Sequence, residues 1–211
     1  MIKEIRNNGD FYINNFCYRL TVDSNIHNNK GLIMKNKILQ MKLNRRKNIT
    51  PLNIMVFDID NTIFQAVGTY EKDYDLRKFE RDNTFIKNLF LKKLPLAYSI
   101  KQYYEDDNSL VIIQTARKVK WWLPLLLFIR GIRYHYLIQR PTANNSPSPQ
   151  LKKSQLVNFI QNHTEIKSYF LGFIDDSKEN RDAIQTLNYA HVYDADYFNS
   201  KGENTDETRI K

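Results

Sequence analysis

From residue 51 onward, short apolar runs alternate with stretches of helical spacing. The runs LNIMVFDI (52 to 59), SLVIIQ (109 to 114), YHYLIQ (134 to 139), YFLGFI (169 to 174) and AHVYDA (190 to 195) read as strands. They are short, rich in β-branched and aromatic residues, and each gives way to something polar. They are continuous rather than alternating, which predicts strands buried on both faces. Between the later runs, residues 118 to 130, 152 to 162 and 178 to 187 predict helices, and Ala183, Ile184 and Leu187 share one face of the last. Strands and helices in this order predict an α/β fold, a central parallel sheet covered on both sides. Residues 65 to 108 have room for helices between 80 and 105, broken near Pro95, but not for a large lid, so little or no cap domain is expected.

The first 50 residues are different. They are rich in Asn and show little periodicity beyond "DFYINNFCYRLTV", which predicts a short strand. The chain of 211 residues carries a net charge of +9, and its location changes what that charge means. Residues 1 to 50 hold 10 Lys or Arg against 3 Asp or Glu, whereas residues 51 to 211 hold 22 against 20. The excess is therefore a property of a basic extension, read as a solvated polar arm or as a contact for phosphate backbones. The expected organisation is an extension over 1–50, one α/β domain over 51–200 and a polar tail over 201–211. The single cysteine, Cys17, has no internal partner, which suggests a reducing compartment. The N-terminus lacks a continuous apolar stretch, and WWLPLLLFI (121 to 129) is too short to span a bilayer. A soluble, cytoplasmic protein without a membrane partner is expected.

In parallel α/β sheets, ligands sit beyond the carboxyl ends of the strands. Here the first strand delivers Asp58, Asp60 and Thr62; the second, Thr115 and Arg117; the third, Arg140; the fourth, Asp175 and Asp176. Asp58 and Asp175 are 117 residues apart, so a shared tertiary site is the economical reason for the coincidence. Acids gathered at one sheet edge need a countercharge, and a hard divalent cation such as Mg²⁺ with oxygen ligands supplies it. His27, His135, His163 and His191 are scattered and offer no softer site. Thr115, Arg117, Arg140 and one of Lys152 and Lys153 add a hydroxyl and cations suited to a tetrahedral oxyanion. Metal, anion clamp and spare carboxylates together read as phosphoryl transfer. A structural Ca²⁺ site would leave the basic residues without a purpose.

The same residues carry a family resemblance. DIDNT at 58 to 62 resembles the first motif of the haloacid dehalogenase (HAD) superfamily; "VIIQT" ending at Thr115 resembles the second, "LKKSQLV" the third, and "GFIDDSKEN" the fourth. Order and spacing agree over residues 52 to 198. The resemblance implies a three-layer Rossmann-like (HAD-like) fold and a phosphatase that works through an aspartyl-phosphate. Asp58 would be the nucleophile, and Asp60 the acid that protonates the leaving group and then the base that takes a proton from water. Thr115 and Lys153 would hold the transferring phosphoryl oxygens, Lys153 suiting the family register better than Lys152. Asp58, Asp175 and Asp176, with the backbone carbonyl of Asp60, would carry Mg²⁺.

"TAR" after the second strand, "QR" after the third, "DYDLRK" at 73 to 78 and "VYDADYF" near the end look like the phosphatase domain of phage polynucleotide kinases. That likeness implies polynucleotide 3′-phosphate ends as substrate and a place in nucleic acid repair, with Thr62, Arg117 and Arg140 contacting substrate. Two departures stand out. Ser177 occupies the position of the family's Arg after the paired acids, and the basic residue expected before DYDL has only Lys72 near it. No Gly-rich phosphate loop ending in Gly-Lys-Ser or Gly-Lys-Thr occurs, so no kinase half is encoded in this chain. The alternatives are a phosphatase of nucleotides or other small phosphomonoesters, and a non-catalytic nucleic-acid-binding protein. "KWWLPLLLFI" reads as a buried helix with Pro124 in its first turn, or else as an exposed patch for a partner. "PTANNSPSP" (141 to 149) reads as a surface loop beside the site.

Overall fold

The structure is a computed structural model that describes residues 2–5, 10–13, 16–19, 33–36, 52–66, 84–118, 120–163 and 169–206. Its centre is a parallel sheet of five strands: β5 (Leu52–Phe57), β6 (Ser109–Lys118), β7 (Tyr136–Arg140), β8 (Tyr169–Asp175) and β9 (Ala190–Asp194). These stand in the spatial order β7-β6-β5-β8-β9, so the strand bearing Asp58 is central. Side chains alternate between faces along a strand, and two separate cores result. Met55, Phe57, Val111 and Ile113 lie in one; Leu52, Ile54, Val56, Leu110 and Ile112 lie in the other. This is why the strands read as unbroken apolar runs: both faces exclude water.

Six helices are described. Helix α1 (Phe85–Leu89) packs Phe85 and Leu89 against the first core, α2 (Leu96–Glu105) and α3 (Leu123–Ile129) contribute Leu96, Ala97, Ile100, Leu123, Leu126 and Leu127 to it, and α6 (Ala195–Asp206) adds Ala195. Helices α4 (Ser148–Asn162) and α5 (Lys178–Gln185) cover the opposite face through Leu156, Phe159 and Ile184. Three layers follow, as expected. Pro95 stands immediately before α2 and separates it from α1, the break that the sequence predicts. Residues 67 to 83, which include "DYDLRK", lie outside the described residues, and so does most of the N-terminal extension.

What is described of that extension is four short antiparallel strands, β1 (Ile2–Ile5), β2 (Asp10–Ile13), β3 (Phe16–Arg19) and β4 (Ile33–Asn36). They continue the sheet from β7 outward in the order β4-β3-β2-β1, with β4 next to β7. The stretch expected as one short strand contains the paired strands β2 and β3. Among the described residues, no helix is long and apolar enough to cross a membrane.

Helix α3 ends at Gly131, whose φ of +72° is left-handed. The Ile132 amide donates back to the Leu127 carbonyl at 2.8 Å, closing a Schellman turn that a Cβ disfavours. A Cβ there would have its nearest neighbour, Lys93 Nζ, at 3.8 Å, so space is not the obstacle. Gly131→Ala is therefore expected to cost about 1–2 kcal/mol through backbone conformation alone, measured as a lower urea midpoint with an unchanged slope.

Candidate active site

Asp58 follows the last residue of β5, and its amide donates to the Ile174 carbonyl of β8 at 3.1 Å. That bond ties the first carboxylate to the strand that ends in Asp175. The chain then turns sharply: the Ile63 and Phe64 amides both donate to the Ile59 carbonyl, and Asn61 takes a left-handed φ of 50°. Asn tolerates that conformation better than most residues. Its Oδ1 accepts from the Ala66 amide at 2.9 Å, which holds the turn closed.

Carboxylate oxygens of Asp58, Asp175 and Asp176 lie within 4.8 Å of one another. Lys152 of α4 reaches between two of them, its Nζ 2.7 Å from Asp58 and 2.6 Å from Asp175. All of Asp58, Asp175 and Lys152 are buried. Burial pushes the Asp58 carboxyl well above the usual carboxylate range; Lys152 opposes the rise, and Asp175, Asp60 and Asp176 add to it. Asp176 is pushed up to about 6, by burial first and by Asp175 second. Burial alone would lower Lys152, but Asp58 and Asp175 outweigh it and hold the ammonium above its ordinary range. When fully ionised, three carboxylates against one ammonium carry a formal charge of −2, the deficit one divalent cation fills. An all-oxygen donor set of this kind suits Mg²⁺, so the residues present fit the expected ion.

The lysine is a correction. The family register favours Lys153, but Lys153 is only partly buried on α4 and Lys152 is the one at the carboxylates. The helix phase decides this: Lys152 shares the sheet-facing side with Leu151, Gln155, Leu156 and Phe159. Gln114 of β6 donates to the Lys152 carbonyl at 2.9 Å and to Gln155 Oε1 at 3.3 Å, and Gln155 donates to the Gln139 carbonyl at 2.9 Å. These amides pin α4 to β6 and β7, and so set which lysine points inward.

The two arginines also differ from expectation. Arg117 is buried, and its guanidinium is bidentate on Asp60: Nε reaches Oδ2 at 2.8 Å and Nη2 bonds Oδ1. Its Nη1 donates to Asn88 Oδ1 of α1 at 2.6 Å. Arg117 thus orients Asp60 instead of standing open to a substrate phosphate. Arg140 donates to the carbonyls of Ala116 at 2.6 Å, Asn144 at 3.3 Å and Ser146 at 2.5 Å. It braces the loop that was expected to lie beside the site. Both residues lie within strands, since β6 runs through Lys118 with an irregularity after Thr115.

Thr115 is fully buried, and its hydroxyl accepts from the Arg117 amide at 3.1 Å, which leaves its own proton to donate. Thr62 is also fully buried. Its hydroxyl has no hydrogen-bond partner among the described residues, and its carbonyl accepts from Asn199 at 3.2 Å. The Asp60 carboxylate lies with Arg117, outside the three-carboxylate cluster.

Several residues were missed by sequence reasoning. Asn180 donates to both oxygens of Asp175, at 3.0 and 3.2 Å. Arg181 holds the carbonyls of Asp175 and Asp176 at 2.8 and 2.7 Å, and reaches Asp194 at 2.7 Å. A signal for this group existed. Ser177 is the N-cap of α5 and accepts from the Asn180 amide, so the turn after the paired acids had to present its next residues to them. Asn88 and Gln114 carry no comparable signal, because each acts across 29 or more residues of chain.

Neither a protein-family model nor a curated protein matches the sequence. A solved structure shares the fold. A chain of the Pnkp1/Rnl/Hen1 RNA repair complex matches with a TM-score of 0.51 and 18% identity over 68% of this chain and 42% of its own. A second structure of the Pnkp1/Rnl/Hen1 complex gives a TM-score of 0.49 at 18% identity over 71% and 50%. The HAD domain of the effector protein Lem4 from Legionella pneumophila gives 0.41 at 16% identity over 68% and 85%. This chain spans half or less of the length of the two repair-complex chains.

Proposed function

We propose that the chain is a Mg²⁺-dependent phosphomonoester hydrolase that acts through an aspartyl-phosphate on polynucleotide 3′-phosphate ends. The observation that carries the reading is the placement of Lys152 against Asp58 and Asp175, beside Asp176, at the carboxyl edge of the sheet. Asp58, Asp175 and Asp176 would hold Mg²⁺, which would supply positive charge against the repulsion between a phosphate dianion and a carboxylate. A carboxylate oxygen of Asp58 attacks phosphorus, and the bond from phosphorus to the leaving oxygen breaks. Asp60, oriented by Arg117, gives that oxygen a proton. Water then attacks the phosphorus of the aspartyl-phosphate, Asp60 takes its proton, and inorganic phosphate departs with the Asp58 carboxylate restored. Lys152 and the Thr115 hydroxyl hold the phosphoryl oxygens, and burial makes their contribution larger than it would be in water. The likeness to a chain of an RNA repair complex supports nucleic-acid ends as substrate, as do the sequence features around the motifs.

One observation favours small phosphomonoesters instead. A cavity of about 410 Å³ borders Asp176 and is lined by Asn61, Gln65, Lys92, Leu94, Asp196 and Asn199, a hollow of a size to take a small polar leaving group. The two readings separate in a panel of 3′-phosphorylated oligonucleotides, mononucleotides and sugar phosphates assayed with and without Mg²⁺. The first reading expects kcat/KM to rise with oligonucleotide length and activity to vanish in EDTA. Equal hydrolysis of a mononucleotide and an oligonucleotide would sink it in favour of the second.

A further inference from the structure

The two most exposed aromatic side chains described are Trp121, at 81%, and Phe90, at 80%. Both belong to segments that hold the Asp60–Arg117 pair. Trp121 is four residues past Arg117, within ~14 Å of chain, and Phe90 is two residues past Asn88, within ~7 Å. Each is fixed by a neighbour that faces inward. Trp122 is buried in the core and meets Phe85 of α1 edge-on at 6.0 Å, so the turn that buries Trp122 presents Trp121 to solvent. Arg130 at the end of α3 donates to the carbonyls of Leu89 and Leu91 at 2.5 and 2.6 Å, which holds the backbone on either side of Phe90. The aromatic stretch around residue 121 is thus buried helix and exposed ring at once.

The charge around these rings is one-sided. Residues 84 to 104 carry 4 Lys or Arg and no acid, and residues 108 to 164 carry 8 and no acid. The intervening acids, Glu105, Asp106 and Asp107, end α2 ahead of β6, at the opposite edge of the sheet from the site. On the other flank, the segment from β8 to β9 carries Asp175, Asp176, Glu179, Asp182 and Asp194 against Lys178 and Arg181, which pair with Asp182 and Asp194. A polyanion whose terminal phosphate enters at Asp58 is repelled by the β8–β9 flank and drawn over the β6–β7 flank, where both rings stand.

We propose that Trp121 and Phe90 are a base-stacking platform for the single-stranded polynucleotide whose 3′-phosphate occupies the Asp58 site. The inference rests on the polynucleotide reading above and names the surface that would select a strand over a mononucleotide. Flat apolar rings in a basic field are what a single strand uses: the cations follow its phosphates and each ring stacks on a base without reading its identity. An apolar protein partner would not require the absence of acids.

The test compares wild type with Trp121→Ala, Phe90→Ala, Trp121→Phe and Phe90→Tyr in the full chain with Mg²⁺. Substrates are 3′-phosphorylated single-stranded oligothymidylate and p-nitrophenyl phosphate. Each alanine variant is expected to lower the ratio of kcat/KM for the oligonucleotide to that for the aryl phosphate by roughly 5- to 100-fold, through KM. The aromatic replacements should restore most of it. In an Asp58→Asn background, titration with the same oligothymidylate should quench tryptophan fluorescence, and Trp121→Phe should remove the quench because Trp122 is buried. An unchanged ratio with active oligonucleotide hydrolysis, or a quench that survives Trp121→Phe, overturns the platform alone. So does a loss of self-association in the alanine variants at an unchanged ratio, which would make the patch a contact between copies. Hydrolysis of the aryl phosphate with none of the oligonucleotide overturns the platform and the polynucleotide reading together.

Discussion

Asp58→Asn is expected to leave a folded protein that no longer turns over phosphomonoesters, with kcat lower by roughly 10⁴-fold or more. On the proposed mechanism an amide cannot form the aspartyl-phosphate, and the substitution removes one of the three carboxylates that would hold a cation. The fold should not suffer. Burial already works against a charged Asp58, raising its carboxyl well above the usual range, and a neutral isostere removes that penalty. Lys152 keeps Asp175 as its partner at 2.6 Å. The thermal midpoint of the metal-free variant should therefore equal or exceed that of the wild type, while hydrolysis in the presence of Mg²⁺ falls to background. Hydrolysis at the wild-type rate would mean that another group attacks phosphorus.

Lys152→Met should cost both activity and stability, and its neighbour is the control. Removing the ammonium leaves Asp58 and Asp175 buried side by side with no cation between them, a loss of about 3–5 kcal/mol by analogy with other broken buried pairs. On the proposed mechanism the same change also removes a cation from the phosphoryl oxygens, an expected loss of roughly 10²- to 10³-fold in kcat. Mg²⁺ should recover part of the stability, since it supplies positive charge to the same carboxylates. Lys153→Met should alter stability by no more than about 0.5 kcal/mol, as expected for a site away from the buried network. Urea unfolding with and without Mg²⁺, and kcat for each variant, check the pair. Equal effects of the two substitutions would contradict the helix phase described above.

The buried elements were the legible ones. β5, β8 and the helices that cover them appear where apolar periodicity places them, because each position in them answers to a local rule: exclude water on this face. The boundaries that moved are those set by non-local partners. β6 runs on to Lys118 because its backbone pairs with β7 as far as Arg140. α4 begins at Ser148, inside the stretch read as loop, with proline in its first turn where a missing amide costs nothing.

The site divides the same way. Chemical type and place along a strand end were readable for Asp58, Asp60, Thr115, Asp175 and Asp176, since carboxylates closing apolar strands declare their own expense. The partner of each was not. Lys152 and Lys153 are identical side chains one residue apart, and only the contacts of Gln114 with α4 and of Gln155 with Gln139 settle which of them faces the carboxylates. Arg117 looks like a substrate contact until Asp60 and Asn88, 57 and 29 residues away, are found to occupy its guanidinium. Trp121 and Trp122 are likewise the same residue type, and the packing of Phe85 against one of them turns the other outward. The sequence by itself determined the layers of the fold and the oxygen chemistry at the sheet edge, because burial and charge are penalties paid locally. Which cation pairs with which carboxylate, and which ring meets solvent, was decided by tertiary structure, because side-chain direction depends on helix phase and on partners remote in the chain.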